Sequence, residues 1–278
     1  MGALWMLAAG FLFGCMGVLV KLGAGQFSSA ELVFYRSAFG LLFVLPLLRS
    51  NGLTTPHWRG HLWRGLSGTV AMMLFFYCIT TLPLATAITL NYTSSLFLTG
   101  LTLLAFRDKL HWPLTATLLL GFAGIVLLLH PTLERDQLIP GLLGLLSGLL
   151  AGFALFNVRQ LGVLGEPAAR VVFYFNLTAT LFTAVWLLLD RELHAPTLAT
   201  LPLLLGLGAS ATFAQLAMTR AYRLGATAVV SVLAYSTIAF AALFGMWLWD
   251  ETLPLSGWAG MALIISSGVI ALRLTPKH

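Results

Sequence analysis

The chain has 278 residues, 59% of them hydrophobic and only 9% charged, with a formal net charge of +6. So few charges cannot cover the surface of a soluble domain, and so much apolar content excludes a disordered chain. What remains is a multi-spanning membrane protein, whose basic balance reads as loop charge that sets orientation rather than as a nucleic-acid surface.

Ten apolar segments follow along the chain. Each is continuously apolar, which predicts helices rather than barrel strands. The first covers 3–22 and carries Lys21 at its end; the second covers 29–48, with Glu31 at its start and Arg36 about two turns inside. The third, 62–81, holds Tyr77 and Cys78. In the fourth, 84–106, Asn91, Ser95 and Thr99 recur at helical spacing with Tyr92 beside them. The fifth covers 112–130, the sixth 138–157 with Asn157 at its end, and the seventh 169–189 with Asn176 inside. The eighth, 199–221, carries Thr212, Gln215 and Thr219 on one stripe that Tyr222 continues. The ninth, 226–248, contains Tyr235 and Ser236, and the tenth is 254–273. Cys15 and Cys78 lie in apolar runs and read as packing residues. Trp5, Trp63, Trp112, Trp247, Trp249 and Trp258 stand near segment ends, as interfacial anchors do.

Ten spans return both termini to one side. With the termini in the cytoplasm, eleven Lys and Arg residues, Arg64 and Arg159 among them, fall on the inner loops and tail; only Lys21, Arg36, Arg135 and Arg191 fall outside. The halves also repeat. Val33-Phe34-Tyr35 matches Val172-Phe173-Tyr174, and Leu22-Gly23 matches Leu161-Gly162. Tyr92-Thr93-Ser94 matches Tyr235-Ser236-Thr237, and the acids Asp108 and Glu251 follow at equal distances. Five spans per unit is an odd number, so the second unit enters upside down. The expectation is an all-α membrane protein: ten transmembrane helices as two inverted five-helix repeats, residues 1–131 and 132–278, around a central cavity. Such a pair can exchange conformations and open the cavity to either side, which predicts transport.

These residues also carry a resemblance. Val20-Lys21-Leu22 followed by Glu31 and Arg36 resembles the first-to-second-span signature of the drug/metabolite transporter superfamily, in its ten-span EamA-type branch. Thr219-Arg220-Ala221-Tyr222-Arg223, followed by Ala226 to Val230, is similar to that branch's eighth-to-ninth-span signature. Trp249-Asp250-Glu251-Thr252-Leu253 stands where the branch usually has Gly-Glu-Arg-Leu. Many members carry Pro in mid-span where this chain has Asn91-Tyr92 and Ala234-Tyr235. The resemblance implies a cavity lined by spans 1, 3, 4, 6, 8 and 9. It also implies either efflux of amino-acid-like solutes or uptake of nucleoside-like, S-adenosylmethionine-like or vitamin-like ones.

A polar side chain inside a bilayer must face protein or water. The candidate substrate-binding residues are therefore Asn91, Tyr92, Ser95, Tyr77, Gln215, Thr219, Tyr235 and Ser236. Lys21 and Arg36 are candidates for an anion contact or gate, with snorkelling and helix clamping as the alternatives. None of the nine carboxylates is placed mid-membrane, and all six histidines are placed in or beside loops, which favours a facilitator or exchanger over a proton-coupled carrier. No Walker, HExxH or GxSxG sequence occurs, so neither ATP drive nor an intramembrane enzyme is expected, and no cofactor or metal. The expected partners are a small-molecule substrate and the lipid bilayer, with no nucleic acid. A monomer and a homodimer both stay open. The expected location is a bacterial inner membrane.

Overall fold

The computed structural model describes residues 2–49, 52–82, 84–106, 112–131, 137–190, 193–250 and 252–274. Among them every regular element is helical: α1 (Gly2–Gly23), α2 (Ser29–Val44) with a 3-10 turn (Leu45–Leu48), α3 (Trp58–Thr81), α4 (Leu84–Tyr92), α5 (Ser94–Phe106) and α6 (Trp112–Leu129). The second half has α7 (Leu138–Val163), α8 (Ala168–Asp190), α9 (Leu201–Leu224), α10 (Thr227–Ala234), α11 (Ser236–Trp249) and α12 (Leu255–Leu274).

Nine stretches of the described residues are long and apolar enough to cross a membrane. Two of them, Thr86–Ala105 and Thr227–Trp249, are each made of two helices, α4 with α5 and α10 with α11. Helix α3 is 24 residues long, but Arg59, His61 and Arg64 dilute the apolar character of its first turns. The outer surface is greasy: Leu104 is 80% exposed, Leu189 79% and Trp247 77%. Hydrocarbon tolerates such a surface and water does not.

Local chemistry sets the helix ends. A reciprocal capping box starts α2: the Ser28 hydroxyl accepts from the Glu31 amide at 3.3 Å, and the Ser28 amide donates to Glu31 Oε2 at 2.7 Å. Pro46 lacks an amide donor, and α2 tightens there into the 3-10 turn. Asp250 ends α11 in the left-handed conformation, at φ 52°. Small residues let the helices approach. A Cβ on Gly124 of α6 would meet the Gly260 carbonyl of α12 at 2.8 Å, and one on Gly260 would meet the Gly124 carbonyl at 2.6 Å. Helix α1 packs on α9 and α11, α7 on α3 and α5, α2 on α8, and α6 on α12.

Two segment limits are corrected. Helix α3 begins at Trp58 rather than 62, and α7 continues to Val163 rather than stopping at 157. Hydropathy marks what lipid accepts, whereas a helix runs on through polar residues whose side chains find partners in protein. Arg64 and Arg159, placed in inner loops by their charge, are therefore helical residues. The loop charges at Arg107, Asp108, Lys109, Glu134, Arg135, Asp136, Arg191, Glu192, Glu251 and Lys277 lie outside the described residues.

Candidate functional site

Both spans that carry a tyrosine followed by hydroxyl residues are interrupted there. At Thr93 the amide bonds back three residues to the Leu90 carbonyl, and the Thr93 hydroxyl donates to the same oxygen. At Tyr235 the amide likewise bonds back three residues, to Val232. These short bonds replace the regular ladder, and a hydroxyl bonded back onto its own helix bends it. Glycines of other helices fill the notches. A Cβ on Gly148 of α7 would lie 2.2 Å from Thr93 Oγ1, and one on Gly10 of α1 would lie 2.5 Å from Ser236 Oγ.

The breaks bring Tyr92 and Tyr235 together, with ring centroids 6.2 Å apart and planes tilted by 58°. Tyr235 and Tyr222 are fully buried and Ser95 nearly so. The Tyr235 hydroxyl faces Ser95 and the Tyr222 hydroxyl faces Ser231, but neither pair reaches hydrogen-bond geometry. Ser236 Oγ is also buried without a partner among the described residues. Leaving such groups unpaired costs about 1–3 kcal/mol each. A bound polar solute or water would recover that cost, so the arrangement can hold hydrogen-bonding ligands against aromatic faces.

Other predicted residues are already engaged within the protein. Asn91 donates to Ser147 Oγ at 3.2 Å, and Ser147 donates to the Ala71 carbonyl at 2.8 Å, a chain that ties α4 to α7 and α3. Thr219 donates to the Gln215 carbonyl of its own helix at 2.8 Å. Asn157 donates to the Phe153 carbonyl of its own helix at 2.8 Å. Tyr77 is 44% exposed. The eighth-span stripe is on the inner face, with Thr212, Gln215, Thr219 and Tyr222 all buried.

A second polar centre was only half foreseen. Arg64 is 4% exposed; its Nη2 donates to Gln215 Oε1 at 3.3 Å, and its guanidinium lies 4.0 Å from the centroid of the Phe175 ring. Arg36 shares that ring at 5.9 Å and points Nη1 at Met16 Sδ, 3.8 Å away. The placement of Arg64 as a loop charge is thus corrected: its side chain turns inward because α9 offers an acceptor and α8 an aromatic face. The sequence signal was present. Gly60 and Gly68 flank Arg64 at four-residue spacing, a small-residue face on which neighbouring helices seat.

Polar clusters also stand at the helix ends. The Lys21 ammonium lies over the Trp249 ring at 4.0 Å, joining the ends of α1 and α11. Glu31 receives the His194 amide and contacts His194 Nδ1 at 2.9 Å, while the Tyr35 hydroxyl donates to the His194 carbonyl. Glu166, in the α7–α8 loop, accepts from Thr55 and from Arg170 Nη1 at 2.9 Å and lies 3.3 Å from His61 Nε2. Burial pushes its carboxyl up, but these hydrogen bonds and the neighbouring cations outweigh it and hold Glu166 below the ordinary value. His61 is therefore a buried helical residue facing a carboxylate rather than a loop histidine, because α3 starts early enough to enclose it. Arg159 donates to the Tyr222 carbonyl at 3.0 Å, bracing α7 against α9. A recess of about 430 Å³ opens beside Trp58, Arg59, Gln160 and Leu164. Among the described residues no three His, Cys, Asp or Glu side chains gather as metal ligands would.

Known proteins share both sequence and architecture with this chain. It is 31% identical to the pseudopaline exporter CntI of Pseudomonas aeruginosa, over 99% of this chain and 97% of the relative. It is 27% identical to a riboflavin transporter of Vibrio cholerae, over 96% of this chain and 91% of the relative. A solved crystal structure, 18% identical, superposes with a TM-score of 0.86 over 98% of this chain and 96% of the other. The EamA-like transporter family matches residues 1–130 and again residues 138–273. The chain therefore belongs to the EamA-like transporter family, and it is a multi-pass membrane protein with bacterial transporter relatives.

Proposed function

We infer that the chain is a secondary transporter of small organic metabolites in a bacterial inner membrane, exporting an amino-acid-like solute by alternating access. In this reading residues 1–131 and 132–278 are inverted five-span units, and both termini are cytoplasmic. The observation that carries it is the pair of mid-span breaks, at Thr93 and Tyr235, with Tyr92 and Tyr235 facing each other between them. Interrupted helices at the midplane are where transporters of this kind hold their solutes. Helix contacts add support, since they come in exchange-related pairs: α1 with α9 answers α7 with α3, and α11 with α1 answers α5 with α7. Export agrees with the pseudopaline relative.

In this proposal the solute meets Tyr92, Ser95, Tyr235 and Ser236 on one side and Gln215 and Thr219 on the other. Asn91 supports the fourth span, Tyr77 flanks the path, and Lys21 and Arg36 guide an anionic group. Uptake of a vitamin-like or nucleoside-like metabolite is the second reading, favoured by the riboflavin relative and by the tyrosine faces. Counterflow in liposomes with purified protein tests both. Tyr92→Ala and Gln215→Ala are expected to weaken solute binding about tenfold in protein that still folds. Unchanged affinity in both variants would remove the site assignment.

A further inference from the structure

The geometry points to Arg36 and Arg64 as the seat for an organic acid carrying two or more carboxylates, with Phe175 and Gln215 completing it. The inference rests on the transport reading above and names its substrate class. Charge accounting drives it. Two cations, on α2 and α3, flank one aromatic ring of α8, which packs on both helices, so two like charges are held close together. Among the described residues no carboxylate reaches either of them: Glu31 is engaged by Ser28 and His194, and Glu166 by Thr55, Arg170 and His61.

Their acceptors are a neutral amide oxygen and a thioether, which answer neither charge. The Nε of each guanidinium is buried without an acceptor among the described residues. On the helices that carry Arg36, Arg64, Phe175 and Gln215, namely α2, α3, α8 and α9, Ser37 Oγ, Thr69 Oγ1, Asn176 Nδ2 and Thr212 Oγ1 are also buried and unpartnered among the described residues. Asn176 Nδ2 and Thr212 Oγ1 converge over Gly40, each 2.6 Å from where a Cβ would stand. Buried charge persists only where something pairs with it. Two planar forks match two carboxylates, and the spare amide and hydroxyl groups can receive the rest of the molecule. A neutral solute leaves both charges unanswered.

The test uses the full chain in lipid nanodiscs, with citrate, 2-oxoglutarate and L-glutamate as anionic probes. L-glutamine, L-leucine and riboflavin are the neutral comparisons, and inorganic phosphate and chloride the inorganic ones. At least one carboxylate probe is expected to raise the melting temperature of the wild-type protein. Arg64→Gln and Arg36→Gln should weaken that response about tenfold or more, and Arg64→Lys by less, since it keeps the charge and loses the fork. Without ligand, Arg64→Gln should melt no lower than wild type, because it removes a repelled charge. If that variant fails to fold, Arg36→Gln carries the same readout from a less enclosed position. The proposal is overturned if no carboxylate probe stabilises the protein, if only phosphate or chloride does, or if both glutamine variants respond as wild type does. A neutral solute carried equally by wild type and both variants would likewise overturn it while leaving transport in place. Carboxylate binding in a protein that carries nothing across liposomes would keep the seat and remove the transport reading instead.

Discussion

Glu166 shows how a single side chain gathers one end of the protein. Its carboxylate holds Thr55 before α3, His61 within α3 and Arg170 at the start of α8. Its folded-state value lies below the unfolded one, so the stabilisation it supplies is complete above the ordinary carboxyl value of 4.5 and is lost as pH falls below it. Melting curves recorded from pH 7 down to 3 should therefore fall with acid in the wild type. In Glu166→Gln the curve should start lower, by about 1–3 kcal/mol, and flatten over the same range. A variant that keeps the wild-type acid slope would contradict this. Residue identity alone did not expose the cluster, since Glu166 and His61 are far apart in sequence and joined only by packing. Tyr92, Tyr235 and Gln215 were legible because tyrosine and glutamine inside apolar runs must point at protein or water. Arg64 was not legible from its charge, because a basic residue near a segment end is ordinarily a topological signal.

At the scale of helices, nine of the apolar segments expected from continuous hydropathy recur among the described residues as stretches long and apolar enough to cross a membrane. The breaks were not expected, since neither span holds the Pro that would announce an interruption, and the repeated tyrosine–hydroxyl pattern there was read only as a sign of the repeat. Thr93 supplies the physical cause in α4–α5 by bonding back to Leu90. The helices packed on these breaks have no room for a side chain. Gly148→Ala would drive a Cβ to 2.6 Å from the Leu90 carbonyl, a backbone atom that cannot rotate away. It should lower stability by about 1–3 kcal/mol and slow transport. Gly10→Ala meets the Ser236 hydroxyl, which can turn aside, so its effect should be smaller. Gly17→Ala has nothing within 4 Å and should be neutral or slightly stabilising, as Ala is the better helix former. Melting and counterflow of the three variants together check the order. A Gly148→Ala protein as stable as Gly17→Ala would show that the notch is not held closed.

Across the whole molecule, the proposed alternating access depends on two units that cross the membrane in opposite senses. Exchange-related helix contacts and the doubled family match both agree with it, and neither fixes the sides. Equivalent positions of the two units do. Gly25, in the turn after α1, corresponds through the repeat to Leu164, in the turn after α7. Gly25 has open space around it and Leu164 is 56% exposed, so a cysteine fits at either. With Cys15 and Cys78 replaced by Ala, single cysteines at these positions would be labelled with a membrane-impermeant maleimide in intact cells and in inverted vesicles. With inverted units, Gly25→Cys should label only from outside the cell and Leu164→Cys only from the cytoplasmic side. Labelling of both from the same side would contradict it.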